Sequence, residues 1–432
     1  MDLDYEQAHL TPDRSRLVIP RPTLIVLCGI SGSGKSSFAT EHFPLTWVVS
    51  SDALRGVITD DQRNQESSKD AFELMYSIIE RRMRFGRTTV ADSTALNDYV
   101  RKNLLEVAHK QDFQTLLLVF DTPRKLCIER DAARVEPPPV GPAVIGMQYE
   151  KYLEMLQAAP LEGFDQIITL RHTELSNLKV EVAPLSLERP HEQGPFDLIG
   201  DIHGCSAELV ELLGKLEYQE IAGVYRHPAG RRVVFLGDLF NRGPDSPGVL
   251  RLVDKMVQAG TALYVRGNHC HYILGNVRNY AGKKYQRPRK WLQELNPTYD
   301  AEFRATVLRV VGSAPAYMTL DEGKLIAVHA GLEQHMFGRL SRRIFDFCLY
   351  GDETGELNEK GYPKRRNWAA TYRGKPFIAY GHTPTTNLEP EIRNNTVNLD
   401  QGCVYGGRLS AMRYPEMEFV QVQPARVYFS KE

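Results

Sequence analysis

The stretch LIVLCGISGSGKSSFAT, residues 24–40, decides how the first half of the chain folds. Its first five residues are apolar and predict a buried parallel strand. Residues 29–36 then fit the pattern G-x-x-x-x-G-K-[ST], whose glycines let successive backbone N–H groups approach phosphate oxygens. The helix expected next would direct its positive end at the same anion. The stretch therefore predicts a nucleotide site rather than a chance Gly/Ser loop.

This loop supplies both a phosphate cradle and a metal ligand. Lys35 is expected to reach the β- and γ-phosphates, and the Ser36 hydroxyl to ligate Mg²⁺. The predicted cofactor-binding residues are Gly29, Ser31, Gly32, Ser33, Gly34, Lys35 and Ser36. No Asn-Lys-x-Asp motif, which reads guanine, follows a predicted strand, so ATP with Mg²⁺ is the expected cofactor pair.

The composition is that of a globular protein with two or three domains. Of its 432 residues, 42% are hydrophobic and 25% are charged, and the net charge of −1 gives no overall basic signal for nucleic acid. The six cysteines are scattered without a C-x-x-C pair, which favours reduced thiols and a cytoplasmic location. No apolar run approaches the roughly 18 residues of a membrane span, so no membrane partner is expected.

Strand-like and helix-like segments alternate through the first half, which predicts an α/β kinase domain with a parallel sheet over residues 18–171. Asp52 and Arg55 follow the second predicted strand, at the sheet edge where ligands bind. Asp52 could take the proton from an acceptor hydroxyl while Arg55 neutralises a phosphate. The alternative is that Asp52 is only a helix N-cap. Asp92, after the third strand, is a candidate carboxylate beside the magnesium.

A lid is expected near residue 137. Arg130 and Arg134 are four residues apart and are predicted to share a helix face. The proline-rich run 137–142 that follows is a stiff connector suited to a lid boundary. Lid arginines can spread the charge of a transferring phosphate, whereas the alternative is a solvated arginine face. The alternating rhythm then stops, and residues 172–195 are predicted to be a linker to a second domain, 196–432.

In the second domain, five predicted strands each end in Asp, Asn or His beside glycine. These ends are Gly200–Gly204, Gly237–Asp238, Gly267–His269, His329–Gly331 and Gly381–Thr383. Because such ends meet on one rim, they can gather hard and borderline ligands for two divalent metals. One such histidine alone would more often be structural, but five elements in order predict a two-metal phosphoryl hydrolase.

The order D-x-H, G-D-x-x-x-R-G, G-N-H and two separated histidines resembles the calcineurin-like metallophosphoesterases. The resemblance implies an α/β sandwich with two divalent metals, Mn²⁺ or Ni²⁺ being the expected ions. The implied metal ligands are Asp201, His203, Asp238, Asn268, His329 and His382. His269 would be the general acid, and Arg242 would hold the phosphate.

One position departs from that family's pattern. Asn241 stands where the family usually has an aspartate that supports the protonated form of the acid histidine. Asparagine keeps a hydrogen bond but supplies no charge, so His269 should lose its proton more readily. The hypothesis is that hydrolysis of poor leaving groups is weakened, while cyclic or activated esters suffer less.

The P-loop, Ser51-Asp52-x-x-Arg55, the lid arginines and the phosphoesterase motifs together resemble bacterial polynucleotide kinase-phosphatases. The resemblance implies phosphorylation of 5′-hydroxyl ends, with Asp52 as base, Arg55 on the terminal nucleotide phosphate, and Arg130 and Arg134 as lid residues. It also implies removal of 2′,3′-cyclic or 3′-phosphate from RNA or DNA ends. The chain has no Lys-x-Asp-Gly motif, whose lysine would accept AMP in a ligase domain, so a separate ligase would act in trans. A homodimer is an open possibility.

Residues 283–291 interleave basic and aromatic side chains, a pattern that can bind the backbone and bases of a nucleic-acid strand. The alternative is an ordinary solvated face. Two other functions remain open. One is a hydrolase of dinucleoside polyphosphates, which related phosphoesterases cleave, joined to a small-molecule kinase. The other is a P-loop nucleotide sensor that gates the phosphoesterase.

Overall fold

The chain folds as two α/β units. The structure, a computed structural model, describes residues 6–135, 138–280, 301–359, 361 and 363–430. Contacts divide the chain into unit 1, Met1–Leu185 with Gly338–Arg343, and unit 2, Ser186–Phe337 with Ile344–Glu432. None of the helices in the described part of the chain is long and apolar enough to cross a bilayer.

Unit 1 alternates strands and helices, as expected from its sequence. Its strands are β1 His9–Leu10, β2 Arg16–Arg21, β3 Thr23–Cys28, β4 Val48–Ser50, β5 Thr89–Asp92, β6 Gln114–Asp121, β7 Gln166–Arg171 and β8 Lys179–Pro184. Its helices are α1 Lys35–His42, α2 Ser51–Thr59, α3 Ser68–Arg84, α4 Asp98–Lys110, α5 Arg124–Ala132 and α6 Pro142–Ala158.

The main sheet of unit 1 is parallel, in the order β4-β5-β3-β6-β7. Strand β3 lies at its centre, and all six of its residues are buried, which explains the continuous apolar run before the P-loop. Helix α3 buries Ala71, Met75, Ile79 and Met83, one residue every fourth position, so one face packs on the sheet. The phosphate loop therefore starts at the middle of the sheet's carboxyl edge.

The predicted linker, 172–195, is partly wrong. Residues Lys179–Pro184 form strand β8, which pairs in parallel with β2 from Arg16↔Lys179 to Arg21↔Pro184 and completes a three-stranded sheet with β1. Residues 179–182, Lys-Val-Glu-Val, alternate polar and apolar side chains with the two-residue period of a strand, a short signal that the linker prediction overlooked. The segment's strand conformation depends on a partner at the opposite end of the unit, and a local pattern cannot reveal such a partner.

Unit 2 is built on two sheets with helices beside them. Its strands are β9 Phe196–Ile199, β10 Gln219–Ile221, β11 Val224–Arg226, β12 Arg232–Phe235, β13 Ala262–Tyr264, β14 Tyr317–Leu320, β15 Leu325–Val328, β16 Glu353–Leu357, β17 Pro363–Arg365, β18 Phe377–Tyr380, β19 Ile392–Arg393, β20 Thr396–Asn398, β21 Asp400–Gln401, β22 Arg408–Tyr414 and β23 Glu418–Val422. Its described helices are α7 Ser206–Lys215, α8 Ser246–Gln258, α9 Asn268–Tyr280, α10 Ala301–Ser313, α11 Arg342–Tyr350 and α12 Trp368–Thr371.

The two sheets pack face to face. One has the order β13-β12-β9-β22-β21 with β23 beside β22, and the other has the order β14-β15-β18-β20-β19. In β12, Val233 and Phe235 join the apolar cluster formed with α7 and α8, whereas Val234 joins the cluster between the sheets. This alternation follows the two-residue period of a strand. The predicted sandwich is confirmed, and its strand ends meet at one rim.

Candidate metal centre and nucleotide site

The P-loop of unit 1 needs glycine for close approach. Gly32 has φ +81°, and a Cβ added there would lie 2.3 Å from the carbonyl oxygen of Cys127. Gly34, with φ 100°, is the N-cap of α1 in the left-handed conformation. The loop thereby turns from β3 into α1 with its backbone N–H groups at the helix's positive end.

Lys35 and Ser36 begin α1 beside the predicted magnesium carboxylate. The Lys35 ammonium donates to the carbonyl oxygens of Gly29 at 2.8 Å and Ile30 at 2.9 Å. Burial lowers the pKa of Lys35, although the charge of Asp92 opposes this. Ser36 Oγ donates to Asp92 Oδ2 at 2.9 Å, and burial raises the pKa of Asp92. These groups are arranged around the position that a nucleotide phosphate and its magnesium would take.

Gln148 is a P-loop contact that sequence reasoning missed. Its Oε1 accepts a hydrogen bond from Ser31 N at 2.7 Å, so it occupies one of the backbone donors expected to bind phosphate. The residue lies in α6, far along the chain from the loop. No P-loop pattern includes a glutamine at that distance, and only the packing of α6 brings it there.

Asp52 and Arg55 lie one turn apart on α2. Arg55 Nη2 donates to Asp52 Oδ1 at 2.6 Å, and Arg55 Nε donates to the Gln62 carbonyl at 2.7 Å. The Asp52 side chain is 59% exposed, so it is open to an acceptor molecule. The alternative role as N-cap is wrong, because Ser50 is the N-cap and accepts from Ala53 N.

The predicted shared helix face of Arg130 and Arg134 is wrong. Helix α5 ends at Ala132, and Arg134 follows in the turn, with its Nη1 3.6 Å from Asp131 Oδ1. The chain leaves the helix towards prolines, whose rings cannot continue it. Arg130 nonetheless remains near the phosphate loop, since its Nη1 is 3.8 Å from the place a Cβ on Gly34 would take.

In unit 2, the rim of the sandwich gathers the predicted ligands. Two groups of side chains have ligand atoms within 4.8 Å of one another: His203, Asp238 and His269, and Asp201, Asp238 and His329. Asp238 Oδ2 lies 3.9 Å from His203 Nε2, 4.0 Å from His269 Nε2 and 3.6 Å from His329 Nε2. These separations are too long for hydrogen bonds. Those to His203 and His329 suit ligands that share an ion, since each metal–ligand bond is about 2 Å, and His269, the predicted general acid, lies beside the same cluster. Asp238 belongs to both groups, as a bridging carboxylate must.

Asn268 joins the two remaining histidines. Its Oδ1 lies 2.9 Å from His329 Nε2 and 3.1 Å from His382 Nδ1. His203 Nδ1 donates to the Phe240 carbonyl at 2.8 Å, and His329 Nδ1 donates to the Leu236 carbonyl at 3.0 Å. These backbone contacts leave Nε2 of both rings with an electron pair for a metal.

Close packing explains why glycine stands beside each ligand. A Cβ added to Gly237 would lie 2.0 Å from His329 Nδ1, and one added to Gly267 would lie 2.2 Å from Asp238 Oδ1. A Cβ on Gly381 would lie 2.5 Å from Asp201 Oδ1. Any larger residue would displace a ligand, so the glycines belong to the site.

Burial and neighbouring charges shift the pKa values of the cluster. Burial lowers the pKa of His203 to about 3 and raises the pKa of Asp201, which the charges of Asp400 and Asp238 raise further. Burial alone would also raise the pKa of Asp238, but the surrounding histidines, His329 first, lower it. Buried carboxylates and imidazoles side by side are the donor set that divalent metals use, and a bound cation would offset the charge of the carboxylates.

An unsatisfied carboxylate oxygen also fits a bound metal. Among the described residues, Asp201 Oδ1 is buried and has no hydrogen-bond partner, while His382 faces the cluster with Nδ1, 3.1 Å from both Asn268 Oδ1 and His329 Nε2. Four site residues, His203, Asn241, Arg242 and His382, have positive φ between 48° and 75° although none is glycine. Such conformations are held only where the surrounding structure enforces them, and they are common at functional sites.

Arg242 lies beside two aromatic rings, packed edge to face with their centres 6.2 Å apart, that the sequence did not indicate. Its guanidinium carbon lies 5.4 Å from the ring centre of Tyr405 and 5.8 Å from that of Phe429. Its Nη1 is 3.1 Å from His203 Nε2, so the side chain points at the cluster. The two rings fix the direction of a cation aimed at the place of a phosphate.

Asn241 contacts the predicted general acid. Its Nδ2 lies 2.9 Å from His269 Nδ1, and its Oδ1 is buried without a hydrogen-bond partner among the described residues. His269 therefore has a neutral amide where a carboxylate was expected from the family pattern. The basic stretch 283–291 lies outside the described residues.

Comparisons with known proteins agree with both units. A model described as "AAA domain" matches residues 24–157, and a model described as "Calcineurin-like phosphoesterase" matches residues 194–420. The chain belongs to the calcineurin-like phosphoesterases. The predicted succession of a P-loop domain and a metallophosphoesterase is confirmed, and membership of this family implies divalent metal ions.

Similar proteins are described more narrowly. Bis(5'-nucleosyl)-tetraphosphatase PrpE [asymmetrical] of Halalkalibacterium halodurans is 46% identical over 237 residues, which are 54% of this chain and 94% of the relative. The protein of that name from Bacillus subtilis is 41% identical over 238 residues, 54% of this chain and 96% of the relative. Among solved structures, a gluconokinase from Sinorhizobium meliloti 1021 is 20% identical, with a TM-score of 0.26, over 36% of this chain and 87% of its own.

Proposed function

We propose that unit 2 hydrolyses dinucleoside polyphosphates with two divalent metals, and that unit 1 is an ATP-dependent phosphotransferase module. The observation that carries the first part is the 46% identity to a bis(5'-nucleosyl)-tetraphosphatase over 94% of that relative's length. This function was an alternative to nucleic-acid end healing on sequence grounds, and the relatives favour it. Nucleic-acid end healing stays a prediction, which the substrate panel described below tests.

Six residues would hold the two ions: Asp201, His203, Asp238, Asn268, His329 and His382. When bound, two divalent ions supply a nucleophile at neutral pH and stabilise the charge of the phosphoryl group. Arg242, fixed by Tyr405 and Phe429, would bind a phosphate oxygen during the displacement. His269 would donate a proton to the leaving oxygen from Nε2, while Asn241 orients the ring through Nδ1.

The neutral partner of His269 suits an anhydride substrate. In a dinucleoside polyphosphate the leaving oxygen belongs to a phosphate, whose second pKa is about 6, so it departs with little help from an acid. In an alkyl phosphate ester the leaving oxygen belongs to an alcohol and needs a proton. Asn241 supplies no charge to keep that proton on His269, and this slows hydrolysis of the anhydride less than hydrolysis of the ester.

Replacing Asn241 with aspartate is expected to broaden the substrate range. A carboxylate 2.9 Å from His269 Nδ1 would favour the imidazolium, and turnover of an alkyl monoester such as 3′-AMP should rise roughly tenfold. Turnover of diadenosine tetraphosphate should change much less. Steady-state kinetics on both substrates measure the ratio, and an unchanged or lower rate with the monoester would contradict this account.

In unit 1, the proposed transfer uses the phosphate loop and Asp52. Lys35 and the N-terminus of α1 would bind the β- and γ-phosphates, and Ser36 would ligate Mg²⁺ beside Asp92. Asp52, exposed on α2, would accept the proton of the acceptor hydroxyl. Arg55 would bind an acceptor phosphate, and Arg130 and Arg134 would neutralise the phosphoryl group in transfer.

A substrate panel tests both parts. With Mn²⁺, we expect diadenosine tetraphosphate to yield ATP and AMP, with kcat/KM well above that for an RNA oligonucleotide ending in 2′,3′-cyclic phosphate. The reverse preference would overturn the proposal and favour end healing. In parallel, label transfer from γ-labelled ATP to 5′-hydroxyl RNA or small-molecule hydroxyls should be lost in Asp52→Asn with ATP binding retained. Retained transfer in Asp52→Asn would contradict its role as the base, whereas wild-type ATP binding without any transfer would favour a sensor.

A further inference from the structure

Unit 2 contains a second concave site that none of the roles above uses. It is a cavity of about 580 Å³, large enough for a nucleoside, and we call it the side cavity. Two of its lining residues come directly after candidate ligands in the chain, since Ala330 follows His329 and Thr383 follows His382. A third, Gln401, follows Asp400, whose charge raises the pKa of Asp201. The side cavity therefore opens beside the His329 and His382 end of the cluster.

One wall of the side cavity is aromatic. The rings of Trp368 and Tyr380 have their centres 4.9 Å apart at 57°. Trp368 Nε1 donates to the Ala330 carbonyl at 3.0 Å, which fixes the indole against the residue after His329. Tyr380 is partly exposed and supplies an apolar face on which a base can stack, whereas Trp368 is only 6% exposed and packs against that ring.

The polar lining is rich in amides. Asn387, Asn398 and Gln401 are among the lining residues. Gln401 Nε2 donates to the Asn398 carbonyl at 2.9 Å, while its buried Oε1 has no hydrogen-bond partner within the described ranges. Asn398 is already bonded through both its Nδ2, to the Thr383 carbonyl, and its Oδ1, from Asp400 N. Gln401 Oε1 is therefore the acceptor of this set that a donor on the edge of a base could use.

The charges of the side cavity balance. Its lining holds three arginines and three carboxylates: Arg365, Arg366, Arg393, Asp352, Glu389 and Glu391. Arg366 Nη1 lies 3.0 Å from Asp352 Oδ1, and Arg393 Nη2 lies 2.6 Å from Glu391 Oε2, so much of this charge is paired internally. A polyphosphate would find no net positive charge there, whereas an uncharged nucleoside meets no such obstacle.

We propose that the side cavity binds one nucleoside of the substrate, with its base against Tyr380 and its phosphates directed to the metal cluster. This assignment rests on the proposed function in that the substrate carries a nucleoside. It explains how a site whose chemistry acts only on phosphates can prefer a nucleotide, because binding at a distance from the reacting atoms gives specificity.

Tryptophan fluorescence tests binding directly. The chain has three tryptophans, so the double substitution Trp47→Phe with Trp291→Phe leaves Trp368 as the reporter. Titration with adenosine and with AMP should change its emission saturably, and Tyr380→Leu should raise the Kd about tenfold through loss of one stacking face. Tyr380→Phe, which keeps the ring, is the matched control and should bind nearly as the parent does. No saturable change would overturn the assignment.

Kinetics separate this assignment from the proposed function. In Tyr380→Leu, the ratio of kcat/KM for diadenosine tetraphosphate to kcat/KM for bis(p-nitrophenyl) phosphate, which has no nucleoside, should fall about tenfold. A constant ratio in a variant that turns over both substrates would overturn the side cavity alone. Saturable adenosine binding at Trp368 in an enzyme that leaves dinucleoside polyphosphates intact would overturn the proposed function and support the cavity.

Discussion

Replacing Asp238 with asparagine is expected to abolish hydrolysis by unit 2. This carboxylate belongs to both ligand groups, with Oδ2 3.6 to 4.0 Å from three histidine nitrogens. Asparagine has nearly the same shape but no charge, so neither ion would be held in place and the phosphoryl group would lose its main electrostatic stabilisation. The kcat/KM for diadenosine tetraphosphate should fall by at least about 10³-fold. Steady-state kinetics in saturating Mn²⁺ measure the loss.

Metal binding distinguishes this cause from simple unfolding. Mn²⁺ should raise the unfolding temperature of the parent protein, since a ligand at a hundred times its Kd adds about 2.7 kcal/mol, and this rise should vanish in Asp238→Asn. Asp254→Asn is a matched control, because Asp254 is also buried in unit 2 but pairs with Arg309 at 2.7 Å. The control should keep the metal-dependent rise and the activity. A full metal response in Asp238→Asn would contradict its bridging position.

The positions of the candidate ligands at one rim could be predicted because each one is encoded locally. A short apolar run followed by glycine and Asp, Asn or His places a polar side chain at the end of a buried strand, and parallel strands end at the same rim. The glycine signal has its own cause, since Cβ atoms at Gly237, Gly267 and Gly381 would overlap ligand atoms. The P-loop was equally local, because Gly32 and Gly34 have positive φ within the motif itself.

Features that depend on distant partners could not be read in this way. Gln148 reaches Ser31, and Tyr405 and Phe429 lie beside Arg242, only after the chain has folded. Strand β8 likewise exists through its pairing with β2, and its short alternating signal was misinterpreted as part of a linker. A local pattern states which residues a strand end presents, but it does not state what packs against them.

A buried ion pair in unit 1 illustrates the same limit and carries the largest expected effect on stability. Arg101 and Glu162, whose side chains are 1% and 8% exposed, are joined by two hydrogen bonds of 2.7 and 2.5 Å. Arg101 Nη1 also donates to the carbonyls of Ala95 and Leu96, in the loop after Asp92. This arginine therefore holds the loop that follows Asp92, the predicted magnesium carboxylate.

Arg101→Met is expected to lower the free energy of unfolding of unit 1 by about 3–5 kcal/mol, because it leaves a buried carboxylate without its cation. Urea unfolding measures this change in the free energy of unfolding of unit 1. It is followed by the fluorescence of Trp47 in a Trp291→Phe, Trp368→Phe background. Lys102→Met is the matched control on the same helix, since Lys102 is exposed and its surface pair with Asp98 is worth only about 0.3–0.5 kcal/mol.

The double variant Arg101→Met, Glu162→Leu decides why the single variant is unstable. If the loss comes from the unpaired carboxylate, removing that carboxylate should restore most of the stability, because a packed apolar pair can replace a buried ion pair at little cost. If the loss came instead from the freed carbonyls of Ala95 and Leu96, the double variant would remain as unstable as the single one. We expect restoration, since an uncompensated buried charge costs more than two lost hydrogen bonds to carbonyls, one of which, that of Ala95, still accepts from Cys28 Sγ at 3.4 Å.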